Sequence, residues 1–506
     1  MCPSSCFQGQ SSKTRSAAGS RLWKTRRKEK YRMQYYEFLT KEQVEQVHEA
    51  SLQILERIGM EFHYPPALEV LSKGGAKVEG ERVFLSRQMV EEQIKKAPRQ
   101  FTLYARNPEK DVVIGSDSIA FIPGYGAPFV TDLDKGRREG TLKDFENFVK
   151  LTGDSPYQDI CSGMVIEPND VPHIIRHAEI IFAAMKYSDK CFMGSAMGAK
   201  GARDSIRMAS IMFGSKAELA EKPCLISILC SLTPLGYDDR MLGAIMEYAK
   251  AGQPQLISSL AIAGATAPAT LAGTLALQNA EVLAGIVLTQ LVREGTPVVF
   301  AGSSTNVNMH SGALVVGSPE MAINTAATAQ MARYYNLPSR GGGAICDAKI
   351  PDAQAAYESM MSLLMAQVSG IHFVLHTAGI LETYACMSYE KFIIDDEICG
   401  MVKRIKKGYE VNEDTLGLDV IKEAGPGGHF LDKDHTFEHF RREFYQPRLS
   451  NRANFDKWYA SGSPKTMETA NKKYKEILKS YEAPELPPGI AKDLRKFINS
   501  IEDKGA

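Results

Sequence analysis

The sequence predicts an α/β protein built as a closed (β/α)8 barrel, the TIM-barrel fold, with an N-terminal helical/β cap and a C-terminal helical tail. The first observation behind this is an alternation that begins at residue 117. Short, continuously apolar runs (119–122, 160–166, 191–198, 224–232, 256–264, 298–304, 338–346, 372–379) alternate with longer helical patterns (141–152, 171–187, 200–213, 238–252, 268–294, 319–335, 352–368, 389–407). Apolar strands separated by amphipathic helices read as parallel strands with crossover connections, buried on both faces. The second observation is number: eight such units in about 290 residues fit a closed barrel. An open doubly wound sheet is the alternative, and it needs a phosphate-binding glycine turn after its first strand. Gly124 and Gly126 do not have that spacing, Gly341–Gly343 follow the seventh run, and no Gly-Lys-Ser/Thr occurs, so a nucleotide site is unsupported.

The cap is predicted over residues 33–116. Thr40 and Gln43 form a capping box, Val44, Val47, Leu52, Leu55 and Ile58 follow at helical spacing, and Gly59 ends the helix. Shorter helical and strand segments follow at 66–72, 83–85, 86–96 and 101–104. The barrel spans 117–408. Residues 409–506 turn polar and aromatic and read as an ordered tail lying over the barrel, with a charged helix at 464–479 and a last short helix after 484–489.

Charge and composition exclude several classes. Apolar residues make up 44% and charged residues 24% of the 506, which is ordinary for a soluble globular chain and excludes wholesale disorder. Basic and acidic residues number 60 each, but residues 1–32 hold nine basic residues and one acidic residue. Removing these leaves 51 basic and 59 acidic residues, a body of net charge −8. An acidic body argues against nucleic-acid binding. The basic segment has two readings, a transit-type leader or residues ahead of a natural start at Met33; the second is preferred because the amphipathic pattern begins only at Phe38. The nine cysteines include no Cys-x-x-Cys pair, so neither a zinc knuckle nor a dithiol motif is indicated, and a reducing cytoplasm fits. The apolar stretch 271–294 contains Gln278, Asn279, Glu281, Gln290 and Glu294, which are costly in lipid. It reads as a buried helix facing the core or another subunit rather than a membrane span.

In a (β/α)8 barrel the chemistry sits at the carboxyl ends of the strands. The first strand end offers Tyr125 and Phe129, the sixth Asn306, Asn308 and His310, the seventh Arg340, Ile345, Cys346, Asp347 and Lys349, and the eighth His372, His376 and Glu382. Four-residue spacing in a strand places His372 and His376 on one face, with His376 nearer the active end. Two histidines without a third ligand make a weak zinc site, so His376 reads as a pocket residue and His372 as a satisfied core histidine. Gly341, Gly342 and Gly343 either permit tight packing or open the barrel mouth to a bulky group. Cys346 has no adjacent histidine and reads as barrel lining rather than a nucleophile. Tyr125 and Phe129 are either packing residues or faces of a cation cage.

Segments 271–291, 317–339, 337–359 and 391–408 (LAGTLALQNAEVLAGIVLTQL, GSPEMAINTAATAQMARYYNLPS, LPSRGGGAICDAKIPDAQAAYES, KFIIDDEICGMVKRIKKG) resemble the trimethylamine methyltransferase family of corrinoid-dependent enzymes, and the similarity runs from about residue 36 to 480. The resemblance implies a barrel that moves a methyl group from an amine nitrogen to the Co(I) of a separate corrinoid protein. The archaeal trimethylamine enzymes carry pyrrolysine in the strand-seven motif, where this chain has Ile345. The chain therefore resembles the non-pyrrolysine branch, which acts on quaternary amines such as glycine betaine. A quaternary ammonium leaves as a neutral amine, so it needs no acid and no zinc to stabilise the leaving group.

On this resemblance His376 and Ile345 are the expected catalytic positions, Ile345 as pocket wall at the pyrrolysine position. Tyr125 and Phe129 hold the cationic head at ~0.5–2 kcal/mol per face. Asn308, His310, Arg340 and Glu382 are the remaining substrate-binding candidates, and Gly341–Gly343 are the surface that meets the corrinoid. No cobamide is expected to reside in this chain. The family's corrinoid partners carry Asp-x-His-x-x-Gly, which LDKDHTFEH (431–439) does not match. Other betaines (proline betaine, carnitine, γ-butyrobetaine) and a non-catalytic barrel that binds betaine or a corrinoid protein remain as alternative readings. A homo-oligomer is compatible with all of them.

Overall fold

Eight short parallel strands occupy the centre of the molecule: β1 (Ala120–Ile122), β2 (Ile160–Cys161), β3 (Cys191–Met193), β4 (Leu225–Cys230), β5 (Gln255–Ser259), β6 (Val298–Gly302), β7 (Ser339–Gly342) and β8 (Phe373–Leu375). The structure is a computed structural model that describes residues 35–161 and 163–502, so the basic segment 1–32 and Met33 lie outside the described residues. The strands pair in the spatial order β1-β8-β7-β6-β5-β4-β3-β2. The seam between β1 and β2 closes through two hydrogen bonds, Phe121 N–H to Asp159 Oδ2 and Asp159 N–H to the Phe121 carbonyl, both 2.8 Å. The closed barrel, not the open sheet, is what forms.

Each strand feeds one helix: α1 (Leu142–Asp154), α2 (His173–Tyr187), α3 (Gly198–Phe213), α4 (Asp239–Lys250), α5 (Leu271–Val292), α6 (Pro319–Tyr334), α7 (Ala353–Val368) and α8 (Tyr389–Lys407). Their starts are written in the sequence. Thr141 and Asp144 cap α1 reciprocally, Ser318 accepts the Met321 N–H ahead of Pro319 in α6, and Asp352 accepts the N–H groups of Gln354 and Ala355 in α7. The strands show a two-residue period. Ile226, Ile228, Leu256, Val299, Ala301, Phe373 and Leu375 form the barrel interior with Ala120, Ile122 and Met193, while Leu225, Leu229, Ile257, Val298 and Phe300 pack outward into the helical layer.

The polar residues of α5 all find partners inside the protein. Glu281 accepts from the hydroxyls of Ser231, Thr233 and Ser259 and from the Leu235 N–H; Gln278 donates to Thr328, Asn279 to Ser51 and Tyr335, and Gln290 to the Thr296 carbonyl. Although α5 is long and apolar enough to cross a membrane, 83% of its most apolar stretch is buried within the protein. It is a core helix of this chain, which removes the subunit-facing reading.

The predicted capping box and helix appear as Lys41–Gln53, extended by one π-helical turn to Gly59. This helix lies on α5 through Ser51 and on α6 through His48, whose Nδ1 meets Tyr335 Oη at 2.9 Å. A four-stranded sheet of the cap (Met60–Phe62, Lys77–Glu79, Arg82–Phe84) takes its last strand, Gly236–Tyr237, from the loop after β4. The described residues from Tyr36 onward form one unit.

The two long helices of the tail pack on the outer helical layer of the barrel. Helix Thr466–Ser480 packs on α1 and α8, with Tyr474 stacked on Tyr389 at 4.7 Å, and Ile490–Glu502 packs on α2 and α3. Its apolar residues Ala470, Leu494, Ile498 and Ile501 join the outer core, which draws it to the helical flank.

Candidate active site

The interior carries one buried cation. Arg340 of β7 is in register with Ala301 of β6 and Phe373 of β8, both interior residues, so its side chain enters the barrel. It is 2% exposed. Nη1 donates to the Gly302 carbonyl at 3.1 Å and to Ser303 Oγ, while Nε has no partner. Among the described residues no carboxylate pairs with it. Burial pulls the guanidinium below its ordinary value, and only Tyr384 and Cys230 act the other way. A guanidinium stays charged regardless, so the barrel mouth holds an uncompensated positive charge, which costs several kcal/mol until an anion arrives.

Tyr384 and His376 lie close enough to feel this charge, and Tyr125 adjoins His376. His376 is buried, and its ring lies 4.7 Å from that of Tyr384. Tyr125 N–H donates to His376 Nδ1 at 3.3 Å, so the ring proton sits on Nε2. Burial, and behind it the charge of Arg340, hold this imidazole well below its usual value, so it is neutral. Burial pushes the Tyr384 phenol up to about 12 and raises that of Tyr125 further. Tyr125 packs on the barrel interior above Gly163, where an added Cβ would stand 2.9 Å from its ring.

The backbone here is bent against preference. His376 has φ +66°, and Glu382, Thr383 and Tyr384 have φ +54°, +55° and +74°. Such left-handed non-glycine residues cost ~1–3 kcal/mol each and concentrate at functional sites. The run turns the Tyr384 side chain back towards the barrel, where its hydroxyl is buried without a partner. Ser258 Oγ, on β5 opposite Cys230 of β4, is also buried and unpartnered. Arg340 Nε, Tyr384 Oη, Ser258 Oγ and His376 Nε2 together offer donors to an anion, and the tyrosine faces offer π surface to a cation.

The expected residues divide. Arg340, His376 and Tyr125 come together, and Ile345 joins them at one remove, packed with Val316, Met321 and Tyr384. Phe129 is already covered: the Arg137 guanidinium lies 3.7 Å from its ring centroid, and Arg137 is held by Glu382 at 3.1 Å to each carboxylate oxygen. Phe129 and Glu382 thus stabilise a loop rather than face the charge of Arg340. Asn308 and His310 sit on the exposed tip of the hairpin Thr305–Val307/Leu314–Val315, where the Asn308 side chain accepts the N–H groups of His310 and Ser311. Gly341, Gly342 and Gly343 are buried, with their missing Cβ positions within 3 Å of Thr325, Ile345 and Thr377 respectively. They serve close packing and present no surface to a partner. Burial pushes the Cys346 thiol up to about 11 and its Sγ donates to the Ile380 carbonyl, so it is lining. His372 is the core histidine expected: Nε2 donates to the Ser116 carbonyl at 2.9 Å and Nδ1 accepts the Ser339 N–H at 3.1 Å.

Tyr384 and Ser258 were not among the expected site residues, and neither was the support beneath them. Lys391 and Asp395 of α8, each 1% exposed, pair at 2.6 Å. Lys391 also holds the Ala344 carbonyl after β7, and Asp395 accepts the Gly379 N–H after β8. Burial opposes the Lys391 ammonium, but Asp395 outweighs it and keeps it charged. A cleft of about 270 Å³ lies at the opposite end of the barrel, lined by Gln100, Tyr104, Pro223 and Pro297. No such convergence of unpartnered polar groups occurs there, so chemistry rather than size of opening locates the site.

The fold is a closed (β/α)8 barrel with a buried, unpaired cation at its strand ends, the class of scaffold on which barrel enzymes build their sites. The family model for trimethylamine methyltransferase (MTTB) matches residues 7–506. The chain is 53% identical to the glycine betaine methyltransferase of Desulfitobacterium hafniense (strain Y51), over 92% of this chain and 96% of that protein. It is 32% identical to the proline betaine:corrinoid methyltransferase of Eubacterium limosum, over 92% and 98%. Among solved structures, the Methanosarcina barkeri monomethylamine methyltransferase (MtmB) has the same fold, with a TM-score of 0.55 at 11% identity over 89% of this chain and 90% of that one. The chain belongs to the trimethylamine methyltransferase family and is a methyltransferase.

Proposed function

We propose that the protein transfers a methyl group from glycine betaine to the cobalt of a separate corrinoid protein and releases dimethylglycine. One observation carries this reading beyond the family: the buried Arg340, which has no counter-charge among the described residues. A betaine brings both the carboxylate that Arg340 lacks and a cationic head for the tyrosine faces. Trimethylamine brings no anion.

The residues supply orientation and electrostatics. Arg340 Nε–H, Tyr384 Oη–H and His376 Nε2–H hold the carboxylate. The neutral state of His376 places no second positive charge near the ammonium. Tyr125 and Tyr384 take the head by cation–π attraction, worth ~0.5–2 kcal/mol per face. The methyl carbon passes to the cobalt while the C–N bonding pair stays on nitrogen, which leaves as a neutral tertiary amine. No general acid is required, which agrees with an apolar Ile345 in the strand-seven loop. The corrinoid arrives on its own protein at the barrel mouth. The unpaired thiols of all seven described cysteines support a reducing, cytoplasmic setting.

The test is incubation with a panel of amines and free Co(I) cobalamin, followed by the methyl-cobalamin spectrum. Glycine betaine is expected to be demethylated fastest, ahead of the bulkier proline betaine and carnitine. Turnover of trimethylamine, or of no quaternary amine, overturns the reading.

A further inference from the structure

Outside the barrel, the tail brings together three side chains that methyl transfer does not use. Helix Asp434–Glu443 carries His435 and His439, four residues apart, so both imidazoles leave the same face. Their ring centroids are 4.2 Å apart and inclined by 31°. Asp414, on the short helix Glu413–Leu416, lies against them. One donor atom from each of the three falls within 4.8 Å of the others. His439 Nε2 is 3.5 Å from Asp414 Oδ2. In a tetrahedral zinc site with bonds of ~2.0–2.1 Å, adjacent donor atoms stand about 3.4 Å apart. That edge is therefore already at metal-site spacing, and the third donor closes by a side-chain rotation.

The segment around this group has a physical need for a staple. Across residues 409–463, His439 is the one residue that is buried. Leu418, Leu431 and Phe437 are 69%, 82% and 67% exposed, so the segment has almost no core of its own. Chains in this condition are held by disulfides or metals rather than by apolar burial. The far end is fastened to α8 where Arg404 donates to the Glu443 carbonyl at 3.0 Å. Within the segment, the exposed Lys433–Glu423 pair and the Asp414–His435–His439 group bring its two halves together.

We propose that Asp414, His435 and His439 bind one divalent transition-metal ion, zinc by preference, which staples residues 409–442 of the tail. Imidazole and carboxylate donors suit zinc, with water as the fourth ligand. In the metal-free protein both rings carry their proton on Nε2, facing the Asp414 carbonyl in His435 and leaving Nδ1 to accept in His439. On metal binding that proton moves to Nδ1, so the Nε2 lone pairs are freed and no net proton is released. His439 Nδ1 now accepts from Arg442 Nη2 at 2.6 Å. Metal binding turns Nδ1 into a donor and sends the exposed Arg442 side chain into solvent.

The experiment strips the full chain with a chelator, titrates zinc by calorimetry, and follows cobalt(II) by its visible absorption. The expected result is one equivalent of zinc per chain and the strong visible bands of a four-coordinate cobalt site. His435→Ala with His439→Ala should abolish both, with circular dichroism and methyl transfer from glycine betaine unchanged. Asp414→Asn, a milder change, should weaken zinc at least about tenfold, and Arg442→Ala should bind at least as tightly as the parent. Zinc should also slow proteolysis within residues 409–442 in the parent and not in the double variant, because a bound ion suppresses opening in proportion to its saturation. Absence of stoichiometric metal binding, or binding unchanged in Asp414→Asn, overturns the site. Equal cutting with and without zinc overturns the staple.

Discussion

The backbone N–H of Tyr125, in the loop after β1, donates to Nδ1 of His376, in the loop after β8, at 3.3 Å. This contact fixes the tautomer and turns the Nε2–H of a buried, neutral imidazole into a donor beside Arg340. His376→Ala should lower kcat/KM for glycine betaine by roughly 10- to 150-fold, the loss of one hydrogen bond to a charged group at ~1.5–3 kcal/mol. His376→Asn keeps an N–H and should lose less. Since burial and Arg340 hold the ring well below its usual value, kcat/KM should be flat from about pH 6 to 8. A step near the ordinary histidine value that disappears in His376→Asn would contradict this assignment.

Arg340 and Tyr384 make a contrasting pair of predictions. Replacing an unpaired buried charge by an apolar side chain of similar length does not destabilise the free protein. Arg340→Met should therefore melt no lower than the parent, yet lose roughly 10- to 150-fold or more in kcat/KM for glycine betaine. Against tetramethylammonium, which has no carboxylate, the loss should be small. Tyr384→Phe removes a hydroxyl that has no partner, so stability should hold while kcat/KM falls roughly 10- to 150-fold, as for one hydrogen bond to a charged group at ~1.5–3 kcal/mol. Thermal melts and steady-state kinetics on both substrates decide it; equal losses on the two amines would remove the carboxylate role.

The barrel was legible because its signal is periodic and repeated eight times, whereas the site depends on loop geometry that leaves no periodic trace. The apolar run at 160–166 gives a strand only at Ile160–Cys161, because its later residues turn out to line the mouth, with Ile166 bridged to Ala127. Tyr384 escaped notice because three successive left-handed residues fold it inward without a glycine or asparagine to announce the turn. Ser258 did leave a signal: it stands at an interior parity position two residues after Leu256, where an apolar residue is the norm. Phe129 was misread for want of its hairpin. The turn after Thr131 pairs Phe129 with Glu139 and lays Arg137 across the ring, so the cation on its face comes from the chain itself.

The Lys391–Asp395 pair should behave as a unit. Lys391→Met or Asp395→Asn alone leaves the other group buried without its partner and should cost ~3–5 kcal/mol in urea unfolding. Lys391→Met combined with Asp395→Leu should recover most of that loss. Because the pair holds Ala344 and Gly379, both single variants should also slow methyl transfer. Additive losses in the double variant would show that the two side chains act independently.

His372 gives the protein an acid sensitivity whose sign follows from its burial. Burial pulls its folded value down to about 4, against about 6.5 unfolded. Above pH 6.5 neither state carries the proton and its stabilising contribution is complete. As pH falls below 6.5 the unfolded chain takes up a proton that the folded one refuses, so stability is lost at up to about 1.4 kcal/mol per pH unit until about pH 4. His372→Gln is the matched control: its amide accepts from Ser339 N–H and donates to the Ser116 carbonyl, and it does not titrate. Between pH 6.5 and 5 the parent should lose about 2 kcal/mol more than His372→Gln in urea unfolding. Since His376 is present in both proteins, its own contribution cancels, and parallel losses would mean that the folded protein protonates His372 without resistance.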